Sequence, residues 1–178
     1  LSVREAEKLV QSSVVGRKRH RAMVRSSECQ ALEDRLQKKF KTAAQLVPAP
    51  VVRQAAKPSK IGVIYFGSTS PSMSEAFDLL EQDGLHLNGM RLRAFPFADS
   101  VAEFIHDHEM VFVVEQNRDA QMRTLLINEL EIDPAHLIKV LHYDGTPITA
   151  RFIHAAIRDQ LGEKKSTKKT TKKSKELA

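Results

Sequence analysis

The sequence contains a single cysteine and no long apolar run. Cys29 cannot form an internal disulfide, which is typical of a reducing compartment, and we therefore expect a cytoplasmic protein. A cysteine-ligated zinc or iron–sulfur site within these residues is excluded, because such sites need several thiolates. No stretch of about 18 apolar residues is present, so no transmembrane helix is predicted. The chain begins at Leu1, and we interpret it as a piece of a longer polypeptide.

The basic charge is confined to one end of the chain. The formal net charge is +6, and seven lysines lie near the C-terminus: Lys164, Lys165, Lys168, Lys169, Lys172, Lys173 and Lys175. Without them the chain is nearly neutral, so the net charge does not indicate a nucleic-acid groove on a folded surface. Residues 162–178 have almost no apolar side chains to bury, and we predict a disordered Lys-rich tail there.

Two segments precede the predicted globular part. Residues 1–47 have the charged, periodic pattern of a helical linker segment, with one apolar stripe formed by Leu32, Leu36, Phe40, Ala43 and Val47. Such a stripe needs a partner surface on its own domain or on an upstream one. Residues 48–60, PAPVVRQAAKPSK, contain three prolines, which prevent regular helix and favour an extended linker.

Residues 61–161 alternate between strand and helix patterns. The predicted strands are residues 61–66, 85–95 with a possible bulge at Gly89, 110–115 and 137–143. Each is followed by a helix pattern, with Gly84 predicted to end the first helix and Asn117 to cap the third. Four strand–helix units imply an α/β fold with a mostly parallel sheet covered by helices on both faces.

Polar turns follow three of the predicted strands. These turns contain the candidate site residues Gly67, Ser68, Thr69, Glu115, Gln116, Asn117, Asp144 and Gly145. Because ligands and partners of parallel sheets meet the carboxyl ends of the strands, we interpret these residues as an interface or the edge of a ligand site. The helix starts beside them could bind an anion through backbone amides.

Each turn also has a purely structural explanation. The GSTS turn at residues 67–70 matches neither phosphate-binding glycine motif, so a hydroxyl cap on the next helix competes with a ligand contact or an inter-domain contact. Asn117 and Asp119 are explained by the start of a helix, whereas Glu115 and Gln116 are not explained by it. A carboxylate at a buried strand end needs a partner, for which Arg118, Arg123 or another domain are the candidates.

Metal and catalytic constellations are weak in this sequence. His106 and His108 are spaced as a potential metal pair, but no third ligand is nearby, and we interpret them as solvated histidines near a helix end. No Ser/His/Asp or Cys/His arrangement stands out. We therefore predict no catalytic residue and no metal ligand in this segment.

Read in order, several segments resemble one enzyme family. These are KIGVIYFGSTSPSMSEAFDLLEQDGL, LRAFPF, VFVVEQNRDAQMRTLL and HYDGTPITARFI, preceded by RLQKKFKTAAQLVPAPVV with its Pro-x-Pro step. Over roughly residues 28–161 the sequence is similar to the C-terminal region of the alpha subunit of 2-oxoacid:acceptor oxidoreductases, nearest to the 2-oxoglutarate:ferredoxin branch. The resemblance implies a transketolase C-terminal-like domain, a three-layer α/β/α sandwich that often has one antiparallel strand.

The same resemblance implies what the complete enzyme does. It would decarboxylate a 2-oxoacid oxidatively with thiamine pyrophosphate and Mg²⁺, transfer the acyl group to coenzyme A, and pass electrons through an iron–sulfur cluster to ferredoxin. The cofactors would be bound by upstream alpha-subunit domains and the beta subunit of an oligomer, and none by this segment. The alternative is a stand-alone α/β module that binds a small anion or a nucleotide through its turns.

Overall fold

The computed structural model describes the backbone of residues 28–175 and the side chains of residues 30–162. The chain divides into two compact units, with the boundary between Leu46 and Val47. In the first unit, helix α1 spans Glu28–Leu46. Its predicted apolar stripe is substantially exposed, at 41% for Leu36 and 56% for Phe40. Residues 1–27 of the predicted helical segment lie outside the described residues.

The second unit is built on one sheet, which has five strands within the described residues and the order β1-β3-β2-β4-β5. The strands are β1 (Val51–Arg53), β2 (Ile61–Phe66), β3 (Asn88–Leu92), β4 (Met110–Glu115) and β5 (Leu137–Leu141). Strand β1 pairs antiparallel with β3, and the other neighbours are parallel. The predicted mostly parallel α/β class is thus confirmed.

Helices cover both faces of this sheet. They are α2 (Ser70–Gln82), α3 (Asp99–His106), α4 (Gln121–Leu130) and α5 (Ala150–Lys175). On one face, buried residues of α2 and α5 such as Phe77 and Ile153 pack with Val63 and Phe112. On the other face, α3 and α4 pack on the alternate strand positions, which include Ile64. Strand β2 and residues 110–114 of β4 are apolar because both faces of the sheet are covered, and the predicted three-layer sandwich is confirmed.

The predicted proline linker contains a strand. Val51–Arg53 form β1, with Val51 opposite Arg91 and Arg53 opposite Gly89 on β3. The prediction of a plain linker over residues 48–60 therefore needs correction. Pro48 and Pro50 are compatible with this three-residue strand, because an edge strand leaves one side of its backbone unpaired. It is the antiparallel strand that the family resemblance implied.

Gly89 does not form the predicted bulge. It faces Val63 on β2 and Arg53 on β1 in uninterrupted registers. A Cβ atom at this position would lie 2.6 Å from Cζ of Phe77, so the glycine is required by the close packing of α2 on β3. The strand itself is shorter than the predicted residues 85–95, and β5 likewise ends at Leu141, two residues before the predicted end.

Helix α5 also differs from the prediction. It continues to Lys175, beyond residue 162, where the sequence predicts disorder to begin. The buried first turns, with Ile153 and Ile157 fully inaccessible, supply the nucleus of this helix. Extending an existing helix avoids the cost of a new nucleus, and eight of residues 163–175 are lysine or glutamate, which are good helix formers. Residues 176–178 of the predicted tail lie outside the described part.

Candidate functional site

The candidate residues lie where the chain changes direction across the sheet. After β2 the chain crosses to β3 on one side, and then returns to β4 on the other side of β2. The carboxyl ends of β2 and β4 therefore flank a topological switch point, the usual location of ligands in open α/β sheets. The turns after β2, β4 and β5 all emerge at this edge.

Glu115 is the last residue of β4 and is fully buried. Its Oε2 accepts a hydrogen bond from the backbone N–H of Met122 at 2.7 Å, and its Oε1 accepts one from the N–H of Arg123 at 2.9 Å. Both donors are first-turn amides of α4, which have no partner within their helix. A carboxylate there is favoured by charge-assisted hydrogen bonds and by the positive end of the helix dipole.

Asn117 supports this cap without being the cap itself. Its Nδ2 donates to Oε2 of Glu115 at 2.8 Å, and its Oδ1 accepts from the N–H groups of Asp119 and Gln121. Helix α4 begins only at Gln121, after Ala120 with a φ of 51°. The prediction that Asn117 is the N-cap of the helix is therefore wrong, because the left-handed turn at Ala120 places the helix start over the Glu115 carboxylate.

Gln116 joins the other two turns. Its Nε2 donates to Oγ of Ser68 at 2.9 Å and lies 3.3 Å from Oγ1 of Thr69, while its Oε1 accepts from the N–H of Ile148 at 3.3 Å. One amide thereby connects the β2–α2, β4–α4 and β5–α5 turns. Ser72 reinforces the connection, since its hydroxyl donates to the carbonyl of Ile148 at 2.8 Å.

The GSTS turn differs from its predicted role as a cap. Gly67 has a φ of 57°, so it supplies the tight turn. Residues Gly67–Thr69 form a short 3₁₀ helix, and Thr69, at the N-cap position of α2, makes no capping hydrogen bond. The hydroxyl of Ser70 instead donates to the carbonyl of Gly67 at 2.9 Å. The Ser68 and Thr69 hydroxyls serve the bridge to Gln116.

Asp144 and Gly145 form a self-contained turn. Oδ1 of Asp144 accepts from the N–H and the hydroxyl of Thr146 at 2.8 and 2.7 Å, and Gly145 has a φ of 90°. The backbone hydrogen bond from Thr146 is the main cause of the lowered pKa of Asp144. The α5 helix that follows is capped by Thr149, whose Oγ1 accepts from the N–H of Phe152. Asp144 therefore fulfils a local structural role.

A shallow concavity of about 330 Å³ lies beside the switch point. It is lined by Phe66, Gln116, Asn117, Gln121, Met122 and Leu125. The side-chain amides of Gln116 and Asn117 already have partners within the chain. The first-turn amides of Met122 and Arg123 are taken by Glu115. An anion entering here would have to displace a buried carboxylate, which argues against the helix start of α4 as an anion site.

The two histidines of the predicted pair differ in their exposure to solvent. His106 is exposed, whereas His108 is buried, contrary to the prediction that both are solvated. The Nδ1 of His108 lies 2.6 Å from the carbonyl oxygen of Phe104, and its Nε2 lies 2.9 Å from Nδ2 of Asn88. Among the described residues there is no group of three or more His, Cys, Asp or Glu side chains that could hold a metal ion. None of the helices in this described part combines the length and the apolar character that a membrane-spanning segment requires.

Of the predicted partners of Glu115, Arg123 is confirmed and Arg118 is not. Arg118 pairs with Asp119. Arg123 donates its backbone N–H to Glu115, whereas its guanidinium donates to the carbonyls of Leu137 and Pro134. Backbone amides seven and eight residues away hold the carboxylate instead. The signal that could have found them is an acidic residue at a strand end shortly before a helix that lacks its own adjacent cap.

Comparisons with known proteins agree with this architecture. No protein-family model matches the chain. Subunit alpha of 2-oxoacid:ferredoxin oxidoreductase 2 from Aeropyrum pernix is 26% identical over 127 residues, which cover 68% of this chain and 19% of that protein. The chain thus spans about a fifth of the length of this curated relative.

Two solved structures share the fold. A 2-oxoglutarate:ferredoxin oxidoreductase from Magnetococcus marinus, solved with 2-oxoglutarate, coenzyme A and succinyl-CoA bound, matches with a TM-score of 0.65 at 22% identity, over 76% of this chain and 24% of that one. A split-gene transketolase, described as an inactive beta4 tetramer, matches with a TM-score of 0.51 at 19% identity, over 62% of this chain and 40% of that one. The chain therefore has a transketolase-like fold, and its resemblance to a domain of 2-oxoacid:ferredoxin oxidoreductase alpha subunits is confirmed.

Proposed function

We propose that this chain is the C-terminal domain of the alpha subunit of a 2-oxoglutarate:ferredoxin oxidoreductase, and that it is structural rather than catalytic. The observation that carries the structural role is that the polar groups at the switch point already have hydrogen-bond partners within the chain. The buried Glu115 carboxylate takes the two first-turn amides of α4, and Gln116 ties the three turns together. An edge whose polar groups are satisfied from within is suited to packing against protein.

The activity of the complete enzyme is part of the same proposal. Thiamine pyrophosphate with Mg²⁺ and an iron–sulfur cluster would be held by the upstream alpha-subunit domains and the beta subunit. Together these parts would convert 2-oxoglutarate and coenzyme A to succinyl-CoA in the cytoplasm, with ferredoxin as electron acceptor. The present segment would contribute contacts to the oligomer through the edge formed by Gly67–Thr69, Glu115–Asn117 and Asp144–Gly145.

Calorimetric titration tests the non-catalytic role. We expect no heat of binding when thiamine pyrophosphate and Mg²⁺ are added to this chain, and tight binding would overturn the assignment. The positive test is assembly of the complete enzyme. Removing residues 61–161 from the alpha subunit should abolish both its co-purification with the beta subunit and 2-oxoglutarate-dependent ferredoxin reduction. Retention of both by the truncated enzyme would contradict the proposed packing role.

The second candidate is a stand-alone module for a small anion or nucleotide, favoured by the position of the turns at the switch point. It predicts saturable thermal stabilisation of the chain by nucleotides or acyl-CoA compounds, and loss of that stabilisation in Gly67→Val. Gly162→Val is the matched control, since Gly162 lies in α5 with open space around it and away from the turns. The structural proposal predicts no saturable stabilisation in any of the three proteins.

A further inference from the structure

The segment Val51–Ser59, called the strap below, is attached to the sheet by few contacts. It consists of the edge strand β1 and the loop that leads to β2. Val51 and Val52 remain 49% and 45% exposed, and β1 pairs with β3 over only three residues. The central strands β2 and β4, by contrast, include residues that are wholly buried, such as Ile64 and Val113. The strap therefore buries little apolar surface, the main source of cohesion in a fold.

Asn88 makes two of the hydrogen bonds that hold the loop of the strap, and Glu81 accepts a further one from the backbone of Ala56. Oδ1 of Asn88 accepts from the N–H of Ala55 at 2.9 Å, and Nδ2 of Asn88 lies 3.3 Å from the carbonyl oxygen of Ser59 and 2.9 Å from Nε2 of His108. His108 is itself buried and held by the carbonyl of Phe104. Asn88 thus connects the two ends of the loop to a rigid group in the core.

Two further features indicate a weak attachment. A concavity of about 340 Å³ is lined by the loop itself and by Asn88, so the loop curves around space that no side chain fills. At β1 the guanidinium of Arg53 bonds Glu81 at 2.9 Å and stacks 4.4 Å from the Phe77 ring centre, but its Nη1 is buried with no hydrogen-bond partner among the described atoms. An unpaired buried donor costs free energy in the closed state.

From these contacts we infer that the strap is a releasable segment latched by Asn88, which opens while the rest of the sheet stays folded. Opening of the strap would change the length of the chain that connects the first unit to the sheet. The boundary between the two compact units precedes Val47, so only residues 47–50 separate the first unit from β1 when the strap is closed. Release frees nine more residues, Val51–Ser59, which extends the maximum reach of the connection by about 30–32 Å. Release would therefore lengthen the connection without unfolding of the α/β core.

Hydrogen exchange of the full chain tests independent opening. The amides of Val52 and Ala55 should exchange through an opening that is far more frequent than global unfolding and nearly insensitive to low denaturant, whereas the amides of Phe112 and Val113 should exchange only with global unfolding. Equal exchange free energies and denaturant slopes for the two groups would overturn the inference.

Limited trypsin digestion tests the latch. Cleavage after Arg53 reports the open strap, because the bond that is cut lies at the end of β1. Trypsin does not compete at Lys57, because Pro58 follows it. We expect Asn88→Ala to speed this cleavage about tenfold or more. Asn117→Ala is the matched control, since it removes an amide that supports the core and does not touch the strap. It should change the rate by less than about twofold. Similar acceleration in both variants, or none in Asn88→Ala, would refute the latch.

Discussion

Oε2 of Glu115 lies 2.7 Å from the backbone nitrogen of Met122, so a buried carboxylate at the end of β4 caps helix α4. The hydrogen bond joins strand β4 to the next helix in the chain, and the left-handed residue Ala120 lies between the two elements. Strand end, turn and helix start therefore form one polar unit inside an otherwise apolar layer. The stability of this unit depends on the charge of Glu115, because both of its oxygens accept from helix amides.

Replacing Glu115 by Gln should destabilise the fold. The substitution removes the charge and turns an NH₂ group toward the amides of α4, which leaves at least one buried donor unsatisfied. We expect the free energy of unfolding to fall by about 2–3 kcal/mol. Urea denaturation of the full chain measures the change. Glu129→Gln on the exposed side of the same helix is the control, expected within about 0.5 kcal/mol of the wild type. Equal effects of both substitutions would contradict the capping role.

Gln116→Ala should loosen the connection between the three turns. The loss of partly exposed hydrogen bonds to Ser68 and Ile148 predicts a decrease of about 1 kcal/mol in unfolding free energy. The amide of Ile148 should also exchange faster with solvent, because its acceptor has been removed. Gln121→Ala removes a neighbouring exposed amide and should leave the exchange of Ile148 unchanged. An unchanged Ile148 amide in Gln116→Ala would show that the bridge is dispensable.

Gly89→Ala should overpack the interface between β3 and α2. The new methyl group would lie 2.6 Å from Cζ of Phe77, and the ring cannot move without disturbing the core around it. We expect a loss of about 1–3 kcal/mol in denaturant unfolding. Combining the change with Phe77→Leu should cost less than the sum of the two single substitutions, because the shorter side chain makes room for the methyl group. Strict additivity would argue against the contact as the cause.

The Arg53–Glu81 pair should make part of the stability dependent on pH. The hydrogen bond from Arg53 is the main cause of the lowered pKa of Glu81. Because the pKa of this carboxyl is lower in the folded state, its contribution to stability is present above the ordinary glutamate pKa of about 4.3 and is lost as the pH falls through the folded value. NMR titration of the Glu81 carboxyl should show the pKa rising toward its ordinary value in Arg53→Met.

Asp144 provides the internal control for this titration. Its pKa is lowered chiefly by the backbone hydrogen bond from Thr146, at the opposite end of the domain's parallel strands from Glu81. Arg53→Met should therefore leave the pKa of Asp144 unchanged. If both carboxyls shifted together, the cause would be a general change in the fold and not the loss of one hydrogen bond.

The sequence alone determined the class of this fold. The apolar runs at residues 61–66 and 110–115 predict strands covered on both faces, and alternation with helix patterns predicts the parallel sheet. These features depend on local periodicity, which a sequence displays directly. The family resemblance also rests on local strings of residues, and it correctly implied the antiparallel strand that the prolines around β1 concealed.

Only the tertiary structure decided the partners of the polar residues. The cap on α4 joins residues seven and eight positions apart across a left-handed turn, and the Gln116 bridge joins positions that are 32 and 48 residues apart in the chain. Likewise, His108 is buried because Asn88 and Phe104 surround its two ring nitrogens. Helical and strand periodicity reports which face a residue occupies, but a hydrogen bond needs two groups within about 3 Å, and that distance depends on how distant elements pack.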